Sequence, residues 1–335
     1  MSVLAHDPRE GAAELAPLAG FWRRLSALVL DLLILGVPLL LLGLVLFDWA
    51  ASLGQAGRLL GFVLALAYFG LLNSEIADGQ TLGKRLMDIR TVDGAGNPLS
   101  LGRSVVRFLV VAVPYFLNGI ALATSHGAWR TISLVVDSVL SVVALGGLSA
   151  TFYLYVFNRR TRQGLHDLAV GSYVVRGAAA AMPSGLAVPR LHLAVVTCLF
   201  AVALVAPVAT RWIVRQPGIA ETVAPLAELQ RMIAALPGVR HVKVLVGRGP
   251  TAATSFWQID AVTNAADIDA VVLAIARVVL DKHPDLLGRQ VLRIRVARGF
   301  DLGLASWTWR QAEVHDAAAW RARLQEAPAS PVGKP

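Results

Sequence analysis

FWRRLSALVLDLLILGVPLLLLGLVLF, residues Phe21 to Phe47, is a run of 27 residues charged only at Arg23, Arg24 and Asp31. About 20 apolar residues cross the hydrocarbon core of a bilayer, so this run reads as a membrane-spanning helix. At 1.5 Å rise per residue, Asp31 lies roughly 15 Å beyond the start, near mid-bilayer. A carboxylate at that depth costs about 2.5–3.5 kcal/mol on insertion scales and therefore faces a partner or a wet cavity.

The rest of the chain agrees with a membrane protein. Hydrophobic residues make up 56% and charged ones 16%, against about 25% charged in globular proteins, and the mean hydropathy is +0.61. Nearly all the uncharged length precedes Thr210, while Arg211 to Pro335 has the composition of an ordinary soluble domain. The single cysteine, Cys198, sits in an apolar run and excludes a disulfide within one chain. The first 20 residues carry Asp7, Glu10 and Glu14 without a basic head or apolar core, so no cleavable signal peptide is expected.

Five spans are predicted: Phe21–Phe47, Trp49–Asn73, Val105–Ala123, Thr131–Phe157 and Leu191–Thr210. Pro114 and the Gly146-Gly147 pair suggest bends in the third and fourth. Thirteen basic residues fall on one side: Arg9, Arg23, Arg24, Lys84, Arg85, Arg90, Arg103, Arg107, Arg159, Arg160, Arg162, Arg176 and Arg190. The opposite loops hold Arg58 and Arg130. The positive-inside rule then predicts a cytoplasmic N-terminus, and five crossings put the C-terminal domain outside, in a bacterial inner membrane. The net charge of +9 reflects this topology, and no nucleic-acid partner is expected.

Three blocks carry a family resemblance. They are Gly20-Phe21-Trp22-Arg23-Arg24-Leu25-Ser26-Ala27 with Asp31 beyond; Gly79-Gln80-Thr81-Leu82-Gly83-Lys84-Arg85-Leu86, continuing through Asp93 to Ser100 and Arg107; and Arg162-Gln163-Gly164-Leu165-His166-Asp167-Leu168. In this order, with spans between them, they resemble the RDD family of small bacterial membrane proteins over Gly20 to about Arg176. The resemblance matches the family's arginine and two aspartates to Arg24, Asp31 and Asp167. It implies an integral membrane module associated with transport, and it leaves the fifth span and the domain after it unexplained.

Arg24 and Asp31, seven residues apart, share a helix face about 10 Å apart along the axis, so a direct pair is strained. Lys84, Arg85 and Arg107 at the rim are candidate partners for Asp31. Asp31 reads either as a protonatable or cation-binding carboxylate or as a hydrogen bond locking two helices. Arg24 reads either as that acid's companion or as an anchor of the helix end. Gly79 to Arg85 fails as a phosphate loop, with three residues between its glycines and Arg85 after Lys84. It reads as a turn holding Lys84 and Arg85 against anionic lipid. Val92 to Leu99 reads as a tight hairpin. His166 and Asp167 are adjacent and point apart, which makes Arg24 the first-choice partner of Asp167. Glu75, Asp78 and Asp137 read as rim or near-rim residues. No spacing suits a metal, a cofactor or a catalytic triad, so no enzyme is expected.

The organisation expected is a cytoplasmic segment 1–20, a four-helix membrane domain 21–176, a linker 177–190, a fifth span 191–210, an α+β domain 211–325 and a disordered tail 326–335. Within the α+β domain, Thr222–Leu236, Asp267–Leu280 and Asp316–Leu324 have helical signatures. Val239–Val246, Phe256–Val262, Leu292–Ala297 and the segment at Trp307 and Trp309 alternate as strands. The order α-β-β-α-β-β-α predicts a four-stranded antiparallel sheet with helices on one face. Arg293, Arg295, His241 and Lys243 then line an open face that is either solvated or receives an acidic partner, a lipid headgroup or a polymer.

Two functions are expected from this reading. One is movement of a cation, proton or small solute through a buried Arg24, Asp31 and Asp167 site supported by Lys84, Arg85, Arg107 and His166. The other is a non-transporting membrane anchor or assembly protein whose exported domain binds a protein partner. Under the first, Asp31→Asn abolishes flux at normal abundance; under the second it lowers abundance or partner binding.

Overall fold

The structure, a computed structural model, describes residues 18–118, 130–177, 187–247, 256–283 and 291–326. Arg9, the end of the third predicted span at 119–123, most of the 177–190 linker and the tail from 327 lie outside them. The membrane part runs α1 (Phe21–Val45), α2 (Phe47–Ser52), α3 (Gly57–Leu72), α4 (Leu82–Leu86), β1 (Ile89–Val92) and α5 (Leu101–Leu117). It continues α6 (Arg130–Ser141), α7 (Gly147–Phe157), α8 (Leu165–Val170), β2 (Tyr173–Arg176) and α9 (Arg190–Val214). Then follow α10 (Pro217–Ala234), β3 (Val239–Gly247), β4 (Phe256–Thr263), α11 (Ile268–Lys282), β5 (Val291–Asp301), β6 (Ser306–His315) and α12 (Ala317–Glu326).

These elements form two compact units. The first takes the chain to Leu39 and again from Arg58 to Thr210; the second takes Leu40–Gly57 and the chain from Arg211.

Helices over Phe21–Val45, Gly54–Leu72, Leu134–Phe157 and Arg190–Val214 are long and apolar enough to cross a membrane. Leucine, valine and alanine dominate them, and their large side chains face outward, as lipid allows: Leu33, Leu41, Val63, Phe152 and Val202 are all exposed. Helix α5 is 17 residues long and carries Arg103 and Arg107 in its first two turns. It runs antiparallel to α3 along that helix's length. Near its start Ser104 Oγ donates to the Phe69 carbonyl at 3.4 Å. At its other end the Tyr115 and Asn118 carbonyls accept from Arg58 at 2.9 and 2.7 Å.

The expected irregularity at Gly146-Gly147 is a π turn over Val142–Gly146. A Cβ on Gly146 would lie 2.7 Å from the Phe200 ring of α9, and one on Gly147 2.8 Å from Pro114 of α5. The pair therefore lets both neighbours approach. On the rim, β1 pairs antiparallel with β2, joining the α3–α5 connection to the segment after α8. The Val92–Leu99 hairpin is closed by Asp93, whose Oδ1 accepts from the Ala95 and Asn97 amides, both at 2.9 Å.

In the second unit the strands lie in the order β3-β4-β5-β6. Leu229 and Ile233 of α10, Val272, Ile275 and Val279 of α11 and Trp320 of α12 pack on Val242, Ile259, Ile294 and Val296, so the helices cover one face. One expectation is corrected: the sheet is mixed, because β4 and β5 pair in parallel. The cause is α11, a 15-residue helix between them, which carries the chain back to the starting edge before the next strand begins. The outer pairs, β3 with β4 and β5 with β6, are antiparallel. On the open face, Arg295 is taken up by Asp260 at 2.5 Å across the parallel pair.

Candidate functional site

The site lies in the first unit, at the end of the bundle where α1 begins. Asp31 is 1% exposed. Its Oδ1 accepts from Tyr68 Oη of α3 and from the Gly83 amide, both at 2.7 Å, and its Oδ2 from Thr81 Oγ1 at 2.6 Å. The donors follow from local sequence. Thr81 is the N-cap of α4, its Oγ1 accepting from the Lys84 amide at 3.2 Å. The first amides of α4 have no intrahelical acceptor, and Asp31 supplies one. A Cβ at Gly83 would lie 2.8 Å from Asp31 Oδ1 and closer still to the Ala27 carbonyl, so only glycine fits there. Gly79 to Arg85 is thus an anion-binding turn, and its anion is the protein's own carboxylate.

Asp167 is fully buried. Arg107 holds its Oδ1 through Nε at 2.9 Å and Nη2 at 2.7 Å, joined by Ser172 Oγ at 3.1 Å. Arg24 Nη2 holds Oδ2 at 2.6 Å, and the Gly164 amide, at the start of α8, donates to the same oxygen at 3.2 Å. Burial pushes this carboxyl up, but Arg107, His166 and Arg24 together outweigh it and hold it well below the usual carboxylate range. Arg24 also donates to the Arg162 carbonyl and stacks on the Tyr155 ring, 5.1 Å from its centroid.

Lys84 turns inward. Its ammonium donates to two neutral oxygens, Asn73 Oδ1 and Thr91 Oγ1. Burial, then the nearby Arg107, push it well below the usual lysine range. His166 Nε2 is 3.6 Å from Asp167 Oδ2. Its Nδ1 is buried and has no hydrogen-bond partner among the described residues. Burial lowers this imidazole to about 3 despite the carboxylate beside it.

These groups enclose a cavity of about 160 Å³. Arg24, Asp31, Asn73, Lys84, Arg107, Tyr155 and His166 form its polar wall; Leu28, Phe69, Phe108 and Val111 its apolar one. A second cavity, of about 340 Å³, is lined by Trp22, Asn158, Arg159 and Arg162 and shares Arg24 and Tyr155 with the first. The stacked Arg24–Tyr155 pair therefore forms a wall common to both.

Of the residues picked out by sequence, the structure unites Arg24, Asp31, Lys84, Arg107 and His166 around one cavity, with Asp167 outside its lining and held by Arg24 and Arg107. Three readings change. Arg24 does not pair with Asp31. The partners of Asp31 are neutral donors rather than Lys84, Arg85 or Arg107. Lys84 faces the cavity rather than lipid, because Thr81 starts a helical turn that points it at Asn73. Arg85 is exposed and lies outside the cavity. Sequence reasoning missed Tyr68, Asn73, Thr81 and Thr91. Tyr68 and Asn73, polar groups in an otherwise apolar run, were the available signal.

Comparison with known proteins supports the same boundaries. The model of the RDD family matches residues 18–171. The uncharacterized protein YckC of Bacillus subtilis (strain 168) is 28% identical over 156 residues, covering 47% of this chain and 83% of that protein.

Proposed function

With residues 18–171 an RDD-family segment of an integral membrane protein, we propose that the chain is a proton-coupled transporter of a small monovalent cation, with Lys84 carrying the proton. The observation that carries this reading is the placement of Lys84. Its ammonium occupies two neutral oxygens beside Arg24 and Arg107, in surroundings that favour its release of the proton. Once neutral, the amine leaves Asn73 Oδ1 and Thr91 Oγ1 open to a cation of the same charge. Proton and cation compete for one pair of oxygens, and that competition is what an exchanger requires. The wall formed by Arg24 and Tyr155 is the barrier between this inner cavity and the outer one that holds Arg159 and Arg162. The proposal includes a bacterial inner-membrane location, five crossings and a cytoplasmic N-terminus.

A second reading, the non-transporting anchor, is favoured by the saturation of both carboxylates. Asp31 and Asp167 already accept hydrogen bonds from five segments of chain: α1, α3, the start of α4, α5 and the residues flanking α8. Flux in proteoliposomes separates the two. Wild-type protein and Lys84→Gln are compared under gradients of sodium, potassium, chloride and pH. Cation-driven proton movement in the wild type, lost in Lys84→Gln of equal melting temperature, supports the exchanger. Absence of any flux from well-folded wild-type protein supports the anchor, and chloride flux alone reassigns the cavity to anions.

A further inference from the structure

We propose that the β5–β6 hairpin of the C-terminal domain lies on the phospholipid interface, with Trp307 and Trp309 inserted at headgroup level. Within the second unit this hairpin is packed on the segment that closes the first membrane span. Phe300 is 3% exposed and meets Gly43, in the last turns of α1, so closely that a Cβ there would lie 2.5 Å from its ring. A Cβ on Gly57, the first residue of α3, would lie 2.7 Å from the Asp301 carbonyl. Arg298 Nη2 bonds Asp48 Oδ1 at 2.7 Å, and its guanidinium lies 5.2 Å from the Phe47 ring centroid. Two glycines and an ion pair therefore tie the hairpin to the level at which a membrane helix ends.

At that level the register decides what faces out. Trp307 lies opposite Phe300 and Trp309 opposite Arg298 on the edge strand β6, so both indoles share the face that meets α2. They remain 47% and 63% exposed. Trp49 and Trp212, beside the ends of α1 and α9 and in the same unit as the hairpin, are exposed in the same way. Indoles collect at membrane interfaces because one end is apolar and the other donates a hydrogen bond. Trp307 and Trp309 extend that belt from the helix ends onto the sheet.

The test places a bimane label at Trp309→Cys, in a Cys198→Ser background of the full chain, reconstituted in phosphatidylcholine–phosphatidylglycerol vesicles. Arg321→Cys on α12 is the control. Trp320 of that helix bonds the Leu292 carbonyl, eight residues along β5 from Phe300, or roughly 26 Å at strand rise. The expected result is severalfold stronger quenching of the 309 label than of the control by lipids with a spin label at the headgroup or upper acyl chain, with iodide ineffective at 309. Equal lipid quenching at both positions overturns the proposal. A 309 label shielded from both lipid and iodide also overturns it, in favour of a second protein on this face. A Trp307→Cys label repeats the measurement should the 309 variant not fold.

Discussion

Asp31 shows how residue identity and residue role separate. A carboxylate near mid-bilayer reads as functional because insertion is costly, yet three neutral donors within 2.7 Å account for its presence. Hydrogen bonds to a charged group contribute about 1.5–3 kcal/mol each, and leaving their donors unpaired costs about 1–3 kcal/mol apiece. Asp31→Ala is therefore expected to lower the melting temperature and yield far more than Tyr68→Phe, which forfeits one bond; melting curves in detergent check this. Gly83→Ala is expected to resemble Asp31→Ala, since its methyl would enter the same contact. Equal stability of Gly83→Ala and wild type would contradict the packing of α4 on α1.

The acid behaviour of the rim cluster belongs to the same scale. The imidazole of His166 titrates at about 3 in the folded protein and near 6.5 in an unfolded chain. Between those values the unfolded state binds the extra proton, so stability falls as pH drops from about 6.5 towards 3. Asp167, held below its ordinary range, adds a further loss as pH falls through about 3.8. Melting temperature is expected to decline from pH 7 to 4, and His166→Gln to flatten that decline. An unchanged slope in the variant would place the acid sensitivity elsewhere. The sequence marked His166 and Asp167 as neighbours, but their burial depends on α8 folding back under α5, which one sequence does not display.

At the scale of elements, periodicity located the helices and strands of the C-terminal domain and apolar length located the long membrane helices, while the short β1, β2, α4 and α8 carried no such signal. What periodicity could not supply was partnership. The alternation of Ile259 with Asp260 and of Ile294 with Arg295 reads identically in parallel and antiparallel sheets; only the 15 residues of α11 between those strands set the direction. The rim shows the same limit. Arg24 and Asp167 stand 143 residues apart, yet their pairing was anticipated from charge alone, whereas the two-pronged grip of Arg107 was not. Removing one member of a buried pair costs about 3–5 kcal/mol because a charge is left alone. Asp167→Asn strands two guanidiniums and is expected to be among the most damaging single changes in the chain. Arg107→Lys retains the charge but loses one of two bonds to Oδ1, so it should fall between that variant and wild type when expression and melting are measured together.

For the whole molecule, whether α5 crosses the bilayer fixes the parity of the chain. By composition it is the weakest candidate, a 17-residue helix whose start holds Arg103 and Arg107. By position it matches α3: Ser104 lies beside Phe69, and Arg58 reaches the carbonyls at the far end of α5. Its length, about 25 Å at 1.5 Å per residue, approaches the roughly 30 Å hydrocarbon core. Arg107 avoids lipid by binding the buried Asp167, so the charge that weakens the helix as a membrane segment is neutralised inside the bundle. Counting α5 gives five crossings and opposite sides for the two termini. A C-terminal alkaline phosphatase fusion is then expected to be active and a C-terminal green fluorescent protein fusion dark, with the reverse for fusions at the N-terminus. Matching reporter behaviour at both ends would mean four crossings, leaving α5 to line the cavity without traversing the membrane.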